Sequence, residues 1–277
     1  MPFGNSLKIN QQNHKMTILD KIVAQKAIEV AEAKARLSIE DLCGEAHFSR
    51  KTNSLKAALL ADGSSGIIAE HKRKSPSKGI INDQLSVAFV TQGYATAGAA
   101  GLSVLTDADF FGGAKEDLMQ AREANQATPI LRKDFMIDSY QLYEAKAWGA
   151  DVILLIAACL SPEQIQELSA KAHELGLEVL LEIHDEEELN SSPLENVDII
   201  GVNNRNLKNF AENNVNASLG LADKIPGSIV KISESCISQP DTIRLLRSAG
   251  YKGFLIGETF MKDENPGAKL AEFIAEI

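Results

Sequence analysis

The sequence predicts an α/β protein, a (β/α)8 TIM barrel with an N-terminal helical extension, on three observations. Eight short β-branched or aliphatic runs recur along the chain, helix-like stretches separate them, and no GxGxxG follows the first run. Strand, helix, strand at intervals of about 20–35 residues implies right-handed βαβ units and a parallel sheet. Eight such units close a barrel. The rival is an open doubly wound sheet, which usually carries a glycine-rich turn after its first strand. Here the first run leads instead into HKRKSPSKG.

Residues 1–15 (MPFGNSLKINQQNHK) are polar and aperiodic and read as a disordered tail. Residues 16–65 read as the helical extension. Ile18, Leu19, Ile22, Val23 and Val30 recur at helical spacing behind Thr17 and Asp20, which resemble a capping box. Ser38-Ile39-Glu40-Asp41 repeats that start signal, and Ser54 to Leu60 forms a further short helix. The barrel occupies 66–277. Its strands are GIIAEHK (66–72), GLSVLTD (101–107), PILRKDF (129–135), ADVILLIA (150–157), EVLLEI (178–183), IIGVNN (199–204), SIVKISE (228–234) and GFLIGE (253–258). Of the helices between them, Ser161–Leu175 has Pro162 at its first position, and Gly149, Gly176 and Gly250 stand just past helix ends. The whole is a single domain.

At 277 residues the formal net charge is −10. That mean field disfavours nucleic acid and anionic membrane as partners. Cys43, Cys159 and Cys236 are odd in number and far apart, without CxxC or Cys/His pairing. This argues against a disulfide framework and against a zinc site. With no signal peptide and no apolar run of about 18 residues, a cytoplasmic location is expected.

In such barrels the C-terminal strand ends carry the site, and alternate residues point inward. On strand one Glu70 and Lys72 share a face with Ile68. Lys133 stands between Leu131 and Phe135, Glu182 follows Leu180, Asn203 goes with Arg205, and Ser233 with Ser235. Each alone has a plain reading: HKRK as a solvated charge run, Arg132-Lys133-Asp134 as an ion-paired strand end, Glu182 as a structural salt bridge. Five strand ends converging on one mouth favour a site, because buried charge is costly unless paired or used. Lys72, Lys133 and Arg205 against Glu70 and Glu182 leave the mouth net positive by one charge, suited to an anionic small molecule. Phosphate leads, held at Ser235-Cys236 and Gly257-Glu258 after strands seven and eight. Ammonium and carboxylate in one cleft can move protons with no metal and no cofactor.

IIAEHKRKSPSKG, SVLTDADFFGG, PILRKDFMIDSYQLYEAKAWGADVILLIAACL, LLEIHDEEEL, IIGVNNRNL, ISESCIS and FLIGETFM follow one another in order. Together they closely resemble the indole-3-glycerol phosphate synthase family, from about Thr17 to the C-terminus. The resemblance implies a carboxy-lyase of tryptophan biosynthesis, closing carboxyphenylamino-deoxyribulose phosphate to indole glycerol phosphate with loss of carbon dioxide and water. It implies Lys133 as general acid and Glu182 as a stabiliser of the developing cationic ring or a proton acceptor. Glu70 and Lys72 would serve dehydration, Lys72 also meeting substrate carboxylate or phosphate, and Asn203 would orient the reacting centre.

The same resemblance puts Arg205 on the phosphate side, Ser75 beside the substrate carboxylate and Phe135 on the aromatic ring. Ser235 and Gly257 would meet phosphate, with Glu258 at the rim. His71 and His184 are read as facing away from Glu70 and Glu182, in structural or surface roles. One departure stands out: the family reads Ser-Gly-Ile where this chain has Ser235-Cys236-Ile237. Glycine there tolerates positive φ, which cysteine adopts only at a cost. The expected partner is a phosphorylated small molecule, with other tryptophan-pathway enzymes as candidate protein partners. Two alternatives are weaker. Phosphoribosylanthranilate isomerase would carry a cysteine at strand one and an aspartate at strand six, where this chain has Glu70/Lys72 and Asn203. A barrel that only binds a phosphorylated metabolite would not need the full catalytic set.

Overall fold

A computed structural model of the chain describes residues 17–76, 78–205 and 214–277. The tail expected over 1–15 lies outside the described residues. Among those described, eight parallel strands close into a barrel. They are β1 (Ile67–His71), β2 (Gly101–Leu105), β3 (Ile130–Lys133), β4 (Val152–Ile156), β5 (Glu178–Ile183), β6 (Ile199–Asn203), β7 (Val230–Glu234) and β8 (Gly253–Ile256). β1 closes the ring by pairing with both β2 (Glu70 opposite Ser103) and β8 (Ile68 opposite Leu255). Each strand lies within one of the eight apolar runs of the sequence.

Alternation along the strands sorts two cores. Ile67, Ala69, Val104, Ile153, Leu181 and Ile200 point outward and pack under the helices. Ile68, Leu131, Leu154, Leu180, Ile199, Ile232 and Leu255 point inward and fill the barrel. Burial on both faces is what a parallel sheet covered by helices requires.

The extension holds α1 (Ile18–Arg36), α2 (Ile39–Gly44) and α3 (Leu55–Leu60). Thr17 with Asp20 and Ser38 with Asp41 form capping boxes, so α1 and α2 start where the sequence signals them. α3 drives Leu55 and Leu59 into the barrel at the starts of the strands. Gly101 and Gly253 leave the room: a Cβ at 101 would stand 2.5 Å from Leu55 Cδ1, and one at 253 would stand 3.1 Å from Leu59 Cδ2.

α1 lies across the opposite end. Its buried Lys26 ammonium sits 3.1 Å from Asp107, 2.9 Å from Asp134 and 2.6 Å from Glu29. Asp134 also accepts from the Thr106 hydroxyl at 2.6 Å and from Arg132 at 3.1 Å. Asp107 and Asp134 follow β2 and β3, so this network ties α1 to the C-terminal mouth. The extension therefore stops the barrel at both ends.

Around the barrel run α4 (Val87–Ala97), α5 (Lys115–Ala124), α6 (Tyr140–Ala147), α7 (Pro162–Glu174), α8 (Glu186–Ser191), α9 (Asn216–Leu221), α10 (Pro240–Ser248), α11 (Glu258–Met261) and α12 (Pro266–Ala275). A short hairpin, Lys74–Ser75 with Gly79–Ile80, follows β1. Cys43, Cys159 and Cys236 are free thiols. No helix among the described residues is long and apolar enough to cross a membrane.

Candidate active site

The inward alternation that builds the lower core carries charged side chains at the upper strand ends. On β1 the Glu70 carboxylate accepts from the Ser103 hydroxyl at 3.1 Å and lies 2.7 Å from the Lys72 ammonium. From β3, Lys133 Nζ donates to Glu182 Oε2 at 2.8 Å and to Glu234 Oε2 at 2.7 Å. Asn203 Nδ2 donates to Glu182 Oε1 at 3.0 Å, and the Arg205 backbone N–H donates to Asn203 Oδ1 at 3.0 Å. A continuous chain of hydrogen bonds thus runs from β6 through β5 and β3 to β7. Gly201 is part of the device, because a Cβ there would overlap the Glu234 carboxylate.

These groups form the polar wall of a cavity of about 450 Å³ at the mouth. The facing wall is apolar and includes Ile18, Leu19 and Ile22 of α1 together with Phe111 and Phe135. The two phenyl rings stand 6.1 Å apart at 39° to one another. An apolar ring can pack against these side chains, with the charged groups along its edge.

Of the residues singled out in the sequence, Glu70, Lys72, Ser75, Lys133, Phe135, Glu182, Asn203, Arg205 and Ser235 line this one cavity. Cys236, Gly257 and Glu258 do not. Cys236 follows Ser235 in a turn where both residues are left-handed, with φ of 59° and 66°. Gly257 makes space for Glu70, whose Oε1 would be 2.8 Å from a Cβ at 257. The Glu258 carboxylate sits 2.6 Å from Lys262 and 3.8 Å from Lys78.

The structure corrects three expectations. Ser233 does not face the mouth with Ser235; it is buried in the outer layer, hydrogen-bonded to Ser218 at 2.7 Å and Asn204 at 2.9 Å. The inward set of β7 is Val230, Ile232 and Glu234, and Ser235 reaches the cavity because its left-handed backbone breaks the alternation. Glu234 is accordingly a site residue that sequence reasoning missed, although the apolar Val230 and Ile232 point to it by parity. With it, three carboxyl groups face three cations, so the excess of one positive charge counted from the sequence holds only while Glu234 is protonated. His184, read as facing away, lines the cavity with its Nε2 at 3.7 Å from Glu182 Oε1. His71 does face away, buried in the outer wall, where burial and then Arg73 push its pKa down to about 4.

The three carboxylates are buried alike but held differently. For Glu182 burial opposes ionisation, yet Lys133 and His184 prevail and bring its pKa down to about 2. Glu70 is likewise held low against burial by Lys72 and Lys133. In Glu234 burial prevails over Lys133, helped by the charges on Glu182 and Glu70, and its pKa rises to about 7. Lys133 stays charged despite burial because Glu182, Glu234 and Glu70 surround it. One ammonium therefore bridges a fixed anion and a carboxyl group poised to gain or lose its proton near neutrality.

Glu234 has a folded pKa above its unfolded value, so its contribution to stability falls as pH rises from about 4.3 through 7. Glu234→Gln is expected to flatten that part of the Tm-against-pH curve. A variant whose Tm drops between pH 5 and pH 8 as steeply as the parent's would remove Glu234 from this role.

The family model described as indole-3-glycerol phosphate synthase matches residues 19–273. The chain belongs to this family. Family members from Bacteroides thetaiotaomicron and Bordetella pertussis, both named indole-3-glycerol phosphate synthase, are 50% and 42% identical to it. The first match covers 94% of this chain and 98% of the relative, the second 93% and 99%. A third member, from Polynucleobacter asymbioticus, is 44% identical over 93% of this chain and 99% of its own length. Among solved structures, a 3-hexulose-6-phosphate synthase superposes with a TM-score of 0.61 at 13% identity, covering 76% of this chain and 99% of its own. That likeness is one of barrel fold. The family match also spans α1, the helix that supplies an apolar wall of the cavity.

Proposed function

We propose that the chain acts as an indole-3-glycerol phosphate synthase, a carboxy-lyase of tryptophan biosynthesis. It closes 1-(2-carboxyphenylamino)-1-deoxyribulose 5-phosphate to indole-3-glycerol phosphate, releasing carbon dioxide and water. The observation that carries the reading is the Lys133 ammonium, held between Glu182 and Glu234 in a cavity whose other wall is apolar and aromatic.

The substrate's phenyl ring lies against Phe111 and Phe135, and its carboxylate meets Lys72 and Ser75. Arg205 and the Ser235–Cys236 turn take the phosphate, with Gly257 and Glu258 at the rim. As the ring carbon attacks the ketone, negative charge grows on the ketone oxygen, and Lys133 gives it a proton. Positive charge grows on the ring, where the Glu182 carboxylate, oriented by Asn203, stabilises it. Carbon dioxide then leaves and the ring regains aromaticity. The Glu70–Lys72 pair serves the final loss of water. Across the sequence the oxygen receives two protons and one returns from carbon, so each turnover consumes one proton.

Supplying this substrate to folded protein and following indole fluorescence without added metal tests the reading. Silence at saturating substrate would overturn it. Cys236 offers a second check. A non-glycine residue held at positive φ costs on the order of 1–3 kcal/mol. Cys236→Gly is therefore expected to raise Tm and to lower KM for the phosphorylated substrate, both measurable in one preparation. An unchanged KM would show that the cysteine does not impair phosphate binding.

A further inference from the structure

His184 has no part in the steps above, yet it connects the catalytic chain to a second carboxylate. Its ring touches the site through Nε2, 3.7 Å from Glu182 Oε1, while Nδ1 lies 3.2 Å from Glu188 Oε2. The same Glu188 oxygen accepts the His184 backbone N–H at 2.7 Å, so ring and main chain are clamped together. Glu188, on α8, is outside the cavity lining, and its side chain is more exposed than the imidazole, 21% against 16%. The ring therefore has the cavity on its Nε2 side and the part-exposed Glu188 on its Nδ1 side. Glu182, Glu188 and Glu234 are the carboxylates that act on it, and they favour its charged form against the effect of burial.

Resting on the proposed lyase reaction, we infer that His184 is the reserve acid of the site, a positioning and relay residue acting through Glu182. The reaction consumes one proton per turnover, and bound substrate covers the Lys133 face of the cavity. Once Lys133 has given its proton to the ketone oxygen, Glu182 Oε2 is within hydrogen-bond reach of the resulting amine. His184 Nε2 closes from 3.7 Å to hydrogen-bond distance and gives its proton to Glu182 Oε1. The carboxyl group turns about its Cγ–Cδ bond, and the same proton passes to the Lys133 amine. The neutral imidazole keeps its proton on Nδ1, where Glu188 fixes that tautomer. After product leaves, Nε2 takes a proton from solvent and the site is restored.

The test is His184→Gln, with His184→Asn as a second variant should the first fold poorly. The expected result is a kcat about tenfold lower or more, with KM within about twofold of the parent, because only proton supply is lost. The solvent deuterium isotope effect on kcat should rise, and added imidazole should restore turnover in a concentration-dependent way. An unchanged kcat, or a loss that imidazole does not relieve, would overturn the relay. An inactive parent would instead sink the lyase reading, and the relay with it. An active parent beside an unaffected variant sinks the relay alone.

Discussion

Lys133→Met is expected to lower kcat by about 10² or more and to leave a protein that is more stable in acid than at neutral pH. The first effect follows from the proposed role of Lys133 as proton donor to the ketone oxygen. The second follows from what remains. Glu182 and Glu234 are both buried, and both bond to the ammonium that has gone. Breaking a buried charge pair by removing one partner costs roughly 3–5 kcal/mol, because the other charge is left uncompensated.

Protonation relieves that cost and sets the sign of the pH dependence. In the parent, Glu182 has a folded pKa of about 2, so it contributes stability above about 4.3 that is lost as pH falls toward 2. In the variant its folded pKa moves above the unfolded value, and stability is lost as pH rises through it. Indole fluorescence measures kcat, and thermal unfolding at pH 5 and pH 8 measures the rest. A variant with a higher Tm at pH 8 than at pH 5 would mean that Lys133 does not compensate these carboxylates.

Lys26→Met should give the largest loss of stability outside the catalytic chain, about 3–5 kcal/mol by the same reasoning. Asp107 and Asp134 are both almost fully buried, and both raise the pKa of Lys26 against the effect of its own burial. Arg132 remains beside Asp134, but Asp107 loses its ammonium. The same substitution unfastens α1, which brings Ile18, Leu19 and Ile22 to the cavity. KM should therefore rise more than kcat falls, since these residues line the cavity and carry no group that can transfer a proton. Urea unfolding and steady-state kinetics on Lys26→Met and Lys26→Arg check both parts. A stable Lys26→Met with an unchanged KM would show that α1 is held by other contacts.

Much of this arrangement was legible in the sequence because it rests on local rules. The β-branched runs, the Thr17 and Ser38 capping boxes and the inward parity of Glu70, Lys133, Glu182 and Asn203 need only neighbours to be read. Glu234 was missed although the same rule reaches it. Pairing Ser233 with Ser235 inverts the parity of β7, because Ser235 lies one residue beyond the last residue for which strand alternation holds. Ile18, Leu19 and Ile22 pose a harder problem. An apolar stripe at helical spacing looks the same whether it covers a core or faces a ligand. For Lys26 the only local partner is Glu29, three residues on, which reads as an ordinary helix-surface pair, while the two aspartates that bury it lie 81 and 108 residues away in the sequence.

The stoppered barrel has a consequence for the order in which the molecule is assembled. The extension is synthesised before the barrel, yet α3 has no seat until Gly253 and β8 exist, and α1 has none until Asp107 and Asp134 are in place. Contacts of such long sequence separation form late, after the loops they close have paid their entropy. Helices made before the barrel are thus the last to dock, and the cavity gains its apolar wall only on a barrel already closed. Catalytic competence then reports completed folding, because a partly folded chain has strands and charges but no pocket to work in.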